Sequence, residues 1–505
     1  MEQLRETAQK LWEPGNTLSQ QAVRGGFWVF ALRISDRLLK LVRTIVLARI
    51  LTPADFGLMG IALLAMSTLR AFSQTGFQAA LIQKRGDIAD YLDAAWTVSA
   101  LRGLVLFVVL YLAAPYIALF FDTPEAAPIT RVIGAAMVFY GLSNVGVVYF
   151  QKELEFNKQF VYRFSDTVAN LFVAVVAALF LRSVWALVLG ALAGSLVSSI
   201  VSYVSQPYRP RVRLERAKVK ELFDFGRWVV GANAIGFLTS QGDDIFLGKV
   251  LGVTALGFYQ LAFRFSNISA TEIADVVGQV TFPTYSKLQD DVSRLRRGFL
   301  QTVEAVASLS LPLSAGIFIL APDFVRLFLG EKWMPIVVAL RILTLSGLLR
   351  SIQATGGSLF HAVGRPNLAF WMNLVKVVVM GIALYPLTTI FGLSGTATAV
   401  GLGTLITLPM WWCVSTQIIG GSYIDPLKSL TPSLTGTVIM SAGMLLMEQW
   451  MDSVGLVEFA VLVLIGSVLY AGFLFSLWRW FRCGPVGSLR VVRRFLELDD
   501  HQNVC

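Results

Sequence analysis

Charged residues are scarce in this chain, because Asp, Glu, Lys and Arg make up only 15% of its 505 residues. A soluble domain carries roughly 25% charged residues, and a disordered chain has little apolar sequence. Here 55% of the residues are hydrophobic, and they lie in runs of about 20, the length that crosses a hydrocarbon core of about 30 Å. The composition therefore excludes an ordinary soluble enzyme and a disordered protein.

Cysteine and histidine are also too few for the sites that they usually build. The three cysteines, Cys413, Cys483 and Cys505, are too scattered for a disulfide framework. The two histidines, His361 and His501, are too few for the usual kind of zinc site. The chain has no GxSxG, HExxH or P-loop motif. We therefore expect no metal, no cofactor and no enzymatic activity.

The long apolar runs predict an all-α polytopic membrane protein with about fourteen transmembrane helices. The predicted spans cover residues 27–49, 58–80, 94–120, 129–150, 166–182, 184–204, 228–250, 258–281, 299–320, 334–359, 368–390, 394–418, 433–450 and 455–480. They divide the chain into a polar segment (1–24), an N-lobe of helices 1–6 (25–204), a basic linker (205–227), a C-lobe of helices 7–12 (228–418), helices 13–14 (419–482) and a tail (483–505). Residues 1–24 lack the apolar core and cleavage site of a signal peptide, so the first span is expected to remain in the mature protein.

Lysine and arginine are distributed unequally between the two sets of connections. Most of them lie in the N-terminal segment, the linker 205–227, the C-terminal tail and the connections on the same side. The opposite connections carry Arg131, Arg182, Arg326 and Lys332. Cytoplasmic loops carry the positive excess, so both termini and the linker are predicted to be cytoplasmic. The net charge of +10 then reflects topology: no nucleic-acid partner is expected, whereas anionic lipid heads are a plausible partner of the linker.

An internal repeat relates residues 26–62 to residues 226–262 without a gap. Its identities include a tryptophan, at Trp28 and Trp228, and a glycine, at Gly57 and Gly257. Six predicted spans separate the copies, so both begin on the same side of the membrane. We therefore predict two six-helix lobes related by a parallel pseudo-two-fold axis, an arrangement found in transporters that alternate access between two lobes.

The first predicted span carries a stripe of charge, formed by Arg33, Asp36, Arg37, Lys40 and Arg43. Each central cation that faces lipid costs roughly 2.5–3.5 kcal/mol, so the stripe is expected to face protein or water. Two interpretations remain open. The stripe lines a hydrated cavity, or it is structural, either as an interfacial amphipathic helix or as a stripe that lies against the other lobe and is satisfied by Asp36.

Several other spans also have one polar, mainly cationic face. The candidate substrate-binding residues are therefore Arg33, Arg37, Lys40, Arg43, Arg70, Arg264 and Arg350. Arginine is suited to a dense anion because its planar fork donates two parallel hydrogen bonds. The acidic candidates, which either couple an ion or balance the arginines, are Asp36, Asp243, Asp244 and Asp275.

Four segments resemble a known family of exporters. They are ARILTPADFG (48–57), GFQAALIQ (76–83), FPTYSKLQDD (282–291) and FLGEKW (328–333). They are similar to polysaccharide and oligosaccharide flippases of the Wzx type, in the lipopolysaccharide biosynthesis group of the multidrug/oligosaccharidyl-lipid/polysaccharide exporter superfamily. The same segments mark the fold and do not identify the sugar.

The resemblance implies a transporter of the bacterial inner membrane that works by alternating access. Its substrate would be an oligosaccharide repeat unit of an envelope polysaccharide, such as lipopolysaccharide or exopolysaccharide, linked to undecaprenyl pyrophosphate. Its partners would be membrane lipids and the polymerase and glycosyltransferases of the same pathway. As a further hypothesis, helices 13–14 pack beside the C-lobe and form a groove for the prenyl tail.

Two other functions fit parts of the sequence less well. A cation-coupled drug or metabolite exporter of the same fold would favour a carboxylate-rich cavity, whereas the predicted spans contain more Arg and Lys than Asp and Glu. A membrane polysaccharide polymerase or ligase would normally need a sizeable loop domain, and the predicted outward connections are short.

Overall fold

The computed structural model describes residues 18–73, 81–82, 88–213, 236–267, 277–278, 281–451 and 455–480. In these ranges the regular structure is helical and includes no β-strand. The chain forms two compact units, Met1–Gly257 and Phe258–Cys505. The candidate Asp275 lies outside the described residues.

The described part of the first unit begins with a long helix. Its helices are α1 (Leu18–Ile50), α2 (Pro53–Ser73), α3 (Ala89–Phe120), α4 (Ala126–Ile133), α5 (Ala135–Leu142), α6 (Val148–Lys152), α7 (Phe156–Leu181), α8 (Trp185–Ser205) and α9 (236–251). Helix α10 (Val253–Ser266) begins in the first unit and ends in the second.

The second unit contains the remaining helices. They are α11 (281–288), α12 (Val292–Phe324), α13 (Ile336–Ala362), α14 (Pro366–Ile418), α15 (Asp425–Glu448) and α16 (Leu456–Trp480). Helix α14 contains two helical stretches, because Gly392 adopts a non-helical conformation with φ of 58° and ψ of −132°. A positive φ favours glycine, and the bend falls between the two spans predicted at 368–390 and 394–418.

Nine described helices are long and apolar enough to cross a membrane, or ten if one bent pair counts as a single span. This confirms a multi-span helical membrane protein. Helix α1 is not among the nine, since its charged stripe interrupts the apolar sequence. The total of fourteen spans stays a prediction.

The fourth predicted span is not the continuous helix that residues 129–150 indicated. Residues 126–142 and 145–152 form two helical parts that are bent by 69°. At the break, the side chain of Asn144 accepts a hydrogen bond from the backbone N–H of Gly146 at 2.9 Å. Asparagine competes with the helix for backbone hydrogen bonds in this way, so the apolar pattern alone did not indicate the bend.

Helices α3 and α5 approach each other closely through two glycines. A Cβ atom on Gly103 would lie 2.6 Å from the carbonyl oxygen of Met137, and one on Gly141 would lie 2.7 Å from that of Ser99. Small residues allow this kind of approach between membrane helices. The contact brings the polar face of α3 close to α5.

The beginnings of α2 and α10 meet in a second close contact. The contacting residues of α10 are the repeat equivalents of those of α2, because both sets are related as residues 226–262 are to residues 26–62. A Cβ atom on Gly57 would lie 1.8 Å from the carbonyl oxygen of Val253. Reciprocally, a Cβ atom on Gly257 would lie 2.0 Å from the carbonyl oxygen of Pro53. Both contacts fall within the first unit.

Within the second unit, the last two helices pack against α12. Leu320 of α12 forms a buried apolar cluster with Met440 and Met444 of α15 and Leu462 of α16. The hydroxyl of Tyr470 donates a hydrogen bond of 2.8 Å to the carbonyl oxygen of Ser308. The C-terminal helix pair is thus an integral part of this unit.

We predict that Gly103→Val destabilises the protein, because the new side chain would collide with backbone atoms of α5. Overpacking of this kind typically costs about 1–3 kcal/mol. Thermal unfolding of the purified protein in detergent should show the loss. Gly381→Val is the matched control, since a Cβ atom there meets nothing within 4 Å. Equal melting temperatures for the two variants would contradict the packing argument.

Candidate functional site

A cavity of about 620 Å³ lies inside the first unit. Helices α2, α3, α5 and α9 all contribute to its wall. The close approach of α3 and α5 at Gly103 and Gly141 forms part of this wall. The volume falls in the range of about 300–1,000 Å³ that is usual for ligand pockets.

Two arginines line the cavity, Arg70 from α2 and Arg102 from α3. Their neighbours in the wall include the hydroxyl groups of Ser67, Ser99 and Ser240. Among the described residues that line the cavity, none is acidic. The site therefore combines two fixed positive charges with neutral hydrogen-bonding groups, which is the chemistry that binds an anion with further hydroxyl groups.

Each of the two arginines is supported by a neighbouring side chain. The guanidinium of Arg70 lies over the ring of Tyr140, 5.0 Å from its centroid, in a cation–π arrangement. Arg102 donates hydrogen bonds from Nε and Nη2 to Ser73 Oγ, at 3.3 and 3.2 Å. Both supporting groups are uncharged, so neither cancels the charge of its arginine.

Tyr140 also connects the cavity to helix α7. Its hydroxyl donates to Asp166 Oδ2 at 3.5 Å. Gly194 of α8 leaves space for this carboxylate, because a Cβ atom on Gly194 would lie 2.2 Å from Asp166 Oδ1. The carboxylate thus lies behind the tyrosine and is not part of the cavity wall.

The charged stripe of α1 makes described polar contacts within α1 and with α7. Asp36 accepts hydrogen bonds from Lys40 at 2.7 Å and from Thr167 at 2.5 Å. Arg43 donates to Asn170 Oδ1 at 2.5 Å. The described partners of Asp36 and Arg43 thus lie on α1 and α7, both in the first unit.

The other predicted residues of the first unit lie in different places. Arg33 and Arg37 of α1 are half-buried, and α1 contributes no described residue to the cavity wall. On α9, Asp243 is buried and Asp244 is half-buried. Among the described residues that line the cavity, Arg70 is the one that the sequence predicted as substrate-binding.

In the second unit, Arg350 is held by one residue of α10 and by the residue that follows this helix. It donates to Asn267 Oδ1 at 2.9 Å, and its guanidinium lies 5.1 Å from the ring centroid of Phe263. Arg264 on the same helix is exposed. Sequence reasoning missed Lys376 of α14, a charged residue that is only 8% exposed, although a lone lysine in the predicted span 368–390 was a visible indication.

Sequence reasoning also missed Arg102 and Asp166. Arg102 is the single charge in the predicted span 94–120, and Asp166 is the first residue of the predicted span 166–182. A search for charged helix faces overlooks both positions. Groups of three or more His, Cys, Asp or Glu side chains close enough to hold a metal are absent from the described part of the chain.

Solved transport proteins share this fold. The lipid II flippase MurJ in an inward closed conformation superposes with a TM-score of 0.71, at 15% identity, over 90% of this chain and 99% of that one. An inward-facing multidrug transporter of the MATE family gives a TM-score of 0.61 at 18% identity, over 76% of this chain and 94% of that one. These similarities show that the chain shares its fold with both transporters, the second of which is described as a member of the MOP superfamily.

Sequence similarity is stronger to proteins of polysaccharide biosynthesis. The lipopolysaccharide biosynthesis protein WzxC of Escherichia coli is 28% identical over 425 residues, which cover 82% of this chain and 85% of WzxC. The teichuronic acid biosynthesis protein TuaB of Bacillus subtilis is 26% identical over 371 residues, covering 73% and 77%. The succinoglycan biosynthesis transport protein ExoT of Rhizobium meliloti is 25% identical, covering 81% and 80%.

A family model described as "Polysaccharide biosynthesis protein" matches residues 46–338, which are more than half of the chain. This match covers the whole cavity wall and the segments from 48 to 333 that carry the sequence resemblance. The chain belongs to the polysaccharide biosynthesis protein family.

Proposed function

We propose that this protein is a flippase that moves lipid-linked oligosaccharide units of an envelope polysaccharide across the membrane by alternating access. The observation that carries the proposal is the cavity of the first unit, with Arg70 and Arg102 in its wall and no acidic residue among the described lining. WzxC, TuaB and ExoT, by their names, act in the biosynthesis of such polysaccharides.

The charge of the cavity suits the pyrophosphate of an undecaprenyl-linked substrate. Two guanidinium groups can each offer a fork of parallel N–H donors to phosphate oxygens. The serine hydroxyls and Gln241 in the same wall are suited to sugar hydroxyl groups. Because binding is shared among several donors, it can remain reversible, as transport requires.

The proposal includes a two-lobe architecture of fourteen spans in a bacterial inner membrane, with cytoplasmic termini. The reciprocal contacts of Gly57 and Gly257 support the repeat, since the contacting carbonyl groups of Pro53 and Val253 have the same offset. In this arrangement Arg33, Arg37, Lys40, Arg43, Arg264 and Arg350 would add positive charge along the transport route. The polymerase and glycosyltransferases of the pathway are the proposed partners.

The shared fold also permits a cation-coupled multidrug exporter, since a MATE transporter superposes well. The positive cavity disfavours that alternative, because it would repel a cationic drug. Reconstituted vesicles separate the two functions: a flippase moves a fluorescent lipid-linked oligosaccharide between leaflets, whereas a drug exporter moves a cationic dye and leaves the lipid in place.

We predict that Arg70→Ala and Arg102→Ala each lower the flipping rate about ten- to hundredfold, the range expected for loss of one charged hydrogen bond. Lysine at either position should restore part of the activity, because the charge returns without the fork. Flipping in vesicles, normalised to the amount of inserted protein, measures the effect. Arg131→Ala is the control, since Arg131 lies outside the cavity wall. Normal flipping by both cavity variants would exclude this site.

We also predict that the ring of Tyr140 contributes more to transport activity than its hydroxyl group does, because the ring face positions Arg70. Tyr140→Phe should keep most activity, whereas Tyr140→Leu should raise the apparent KM several-fold, by the loss of about 0.5–2 kcal/mol of cation–π attraction. Tyr111→Leu provides the matched control. Arg131 lies over Tyr111 with the same centroid distance of 5.0 Å. Equal effects of the two leucine variants would show that Tyr140 is merely structural.

The proposed topology predicts opposite labelling of two exposed positions. In a cysteine-free background, Glu125→Cys should react with an impermeant thiol reagent in cells whose outer membrane is permeabilised, because it follows an outward turn. Arg211→Cys should react only after the inner membrane is opened. Both native side chains are exposed. Labelling of both sites before that step would refute the orientation.

A further inference from the structure

An ordered segment follows α8 and crosses one end of the first unit. This segment, residues 206–213, is called the strap, and it is the described beginning of the basic linker. It is not helical, yet hydrogen bonds attach it to two other parts of the unit. The strap therefore has a fixed position, unlike a free polar loop.

The main anchor of the strap is Asp93 of α3. Its carboxylate accepts a hydrogen bond from the hydroxyl of Tyr208 and another from the backbone N–H of Arg211, at 3.0 Å. Burial and the neighbouring carboxylate raise the pKa of Tyr208 above its ordinary value, so the hydroxyl remains a donor. One turn further along α3, Thr97 Oγ1 accepts from the backbone N–H of Arg213 at 3.0 Å.

Two further bonds attach the strap to the bend in the fourth span. Asn144 Nδ2 donates to the carbonyl oxygen of Tyr208 at 2.7 Å. Gln206 Nε2 donates to the carbonyl oxygen of Gly146 at 2.8 Å. The strap is thus held at Gln206, Tyr208, Arg211 and Arg213. Two of these four residues are themselves basic, and both are held through their backbone N–H groups.

Amphipathic aromatic residues gather at the same end of the unit. Trp96 Nε1 donates to the hydroxyl of Tyr203 at 3.1 Å, and that hydroxyl donates to the carbonyl oxygen of Leu142 at 2.6 Å. Tyr91 and Tyr149 pack, with Tyr208, against an apolar cluster. Tryptophan and tyrosine concentrate where hydrocarbon meets water, which places the strap at the level of the lipid head groups.

The strap exposes basic side chains and one apolar side chain. Arg209, Arg211 and Arg213 are all exposed. Between Arg211 and Arg213, Val212 is 82% exposed, and Val204 at the end of α8 is 79% exposed. Exposed valine beside arginine is favourable where the valine reaches acyl chains and the arginine reaches phosphate.

We propose that the strap is a binding surface for anionic phospholipid head groups, formed by Arg209, Arg211 and Arg213 and held at the bilayer surface by Asp93. Each basic residue near an anionic bilayer contributes attraction, and arginine can grip a phosphate through two bonds. The anchor fixes all three side chains beside the bilayer, so binding lipid orders little additional chain. This surface is separate from the arginine cavity and does not depend on the proposed transport activity.

The experiment measures lipid selectivity of the full chain in vesicles of phosphatidylcholine that contain spin-labelled phosphatidylglycerol or spin-labelled phosphatidylcholine. The fraction of immobilised label gives the preference for the anionic lipid. The triple variant Arg209→Gln, Arg211→Gln, Arg213→Gln should reduce this preference at least about threefold. The charge-matched control replaces Arg294, Arg297 and Arg365, which are exposed in the second unit, and should change it much less.

Two anchor variants separate a positioned surface from net charge. Asp93→Asn makes the protein more positive, so net charge alone predicts a stronger preference for the anionic lipid. The strap model predicts a weaker one, because the arginines lose their position, and Tyr208→Phe should act in the same direction. The proposal is overturned if the triple variant and its control behave alike, or if both folded anchor variants retain or increase the preference.

Discussion

The cost of charge inside a hydrocarbon layer is the constraint on which the rest of this structure depends. A cation among apolar helices needs a partner or water, and each described case has a specific answer. Lys40 pairs with Asp36, Arg43 reaches Asn170, and Arg350 lies between Asn267 and Phe263. Asn170 belongs to α7, so the hydrogen bond of Arg43 links α1 to the helix against which it packs.

This constraint separates two kinds of arginine. Arg43 of the α1 stripe donates to the amide oxygen of Asn170, which reduces its attraction for a mobile anion. Arg70 and Arg102 are supported by a ring face and a hydroxyl group, which hold the side chain in place but leave its charge. The nearby carboxylate of Asp166 lies behind Tyr140. Because the described cavity wall keeps this positive charge and contains no acidic side chain, it supports our proposal of an anionic substrate.

The sequence predicted the helical class, most span positions and the charged face of α1, because hydropathy and helical spacing are local properties. It identified one of the two cavity arginines, since Arg70 shares its face with Ser67. Arg102 stands alone in an apolar span, and its importance arises from the contact of Gly103 with Gly141. The bend at Asn144 was missed for a related reason: a single side chain decides it. Such features depend on which helices meet, and hydropathy does not contain that information.

The reciprocal glycine contact is a feature of helix packing that can also be recognised in the sequence repeat. Gly57 lies against the carbonyl group of Val253, and Gly257 lies against that of Pro53, so one surface is used twice, as in an isologous interface. Such a contact needs the same small residue at the same place in both copies. This explains why the glycine recurs in the repeat, although the surrounding apolar positions could change between leucine, isoleucine and valine at little cost. The close approach of the two backbones, rather than contact with the substrate, therefore accounts for the glycine that the two copies share at positions 57 and 257.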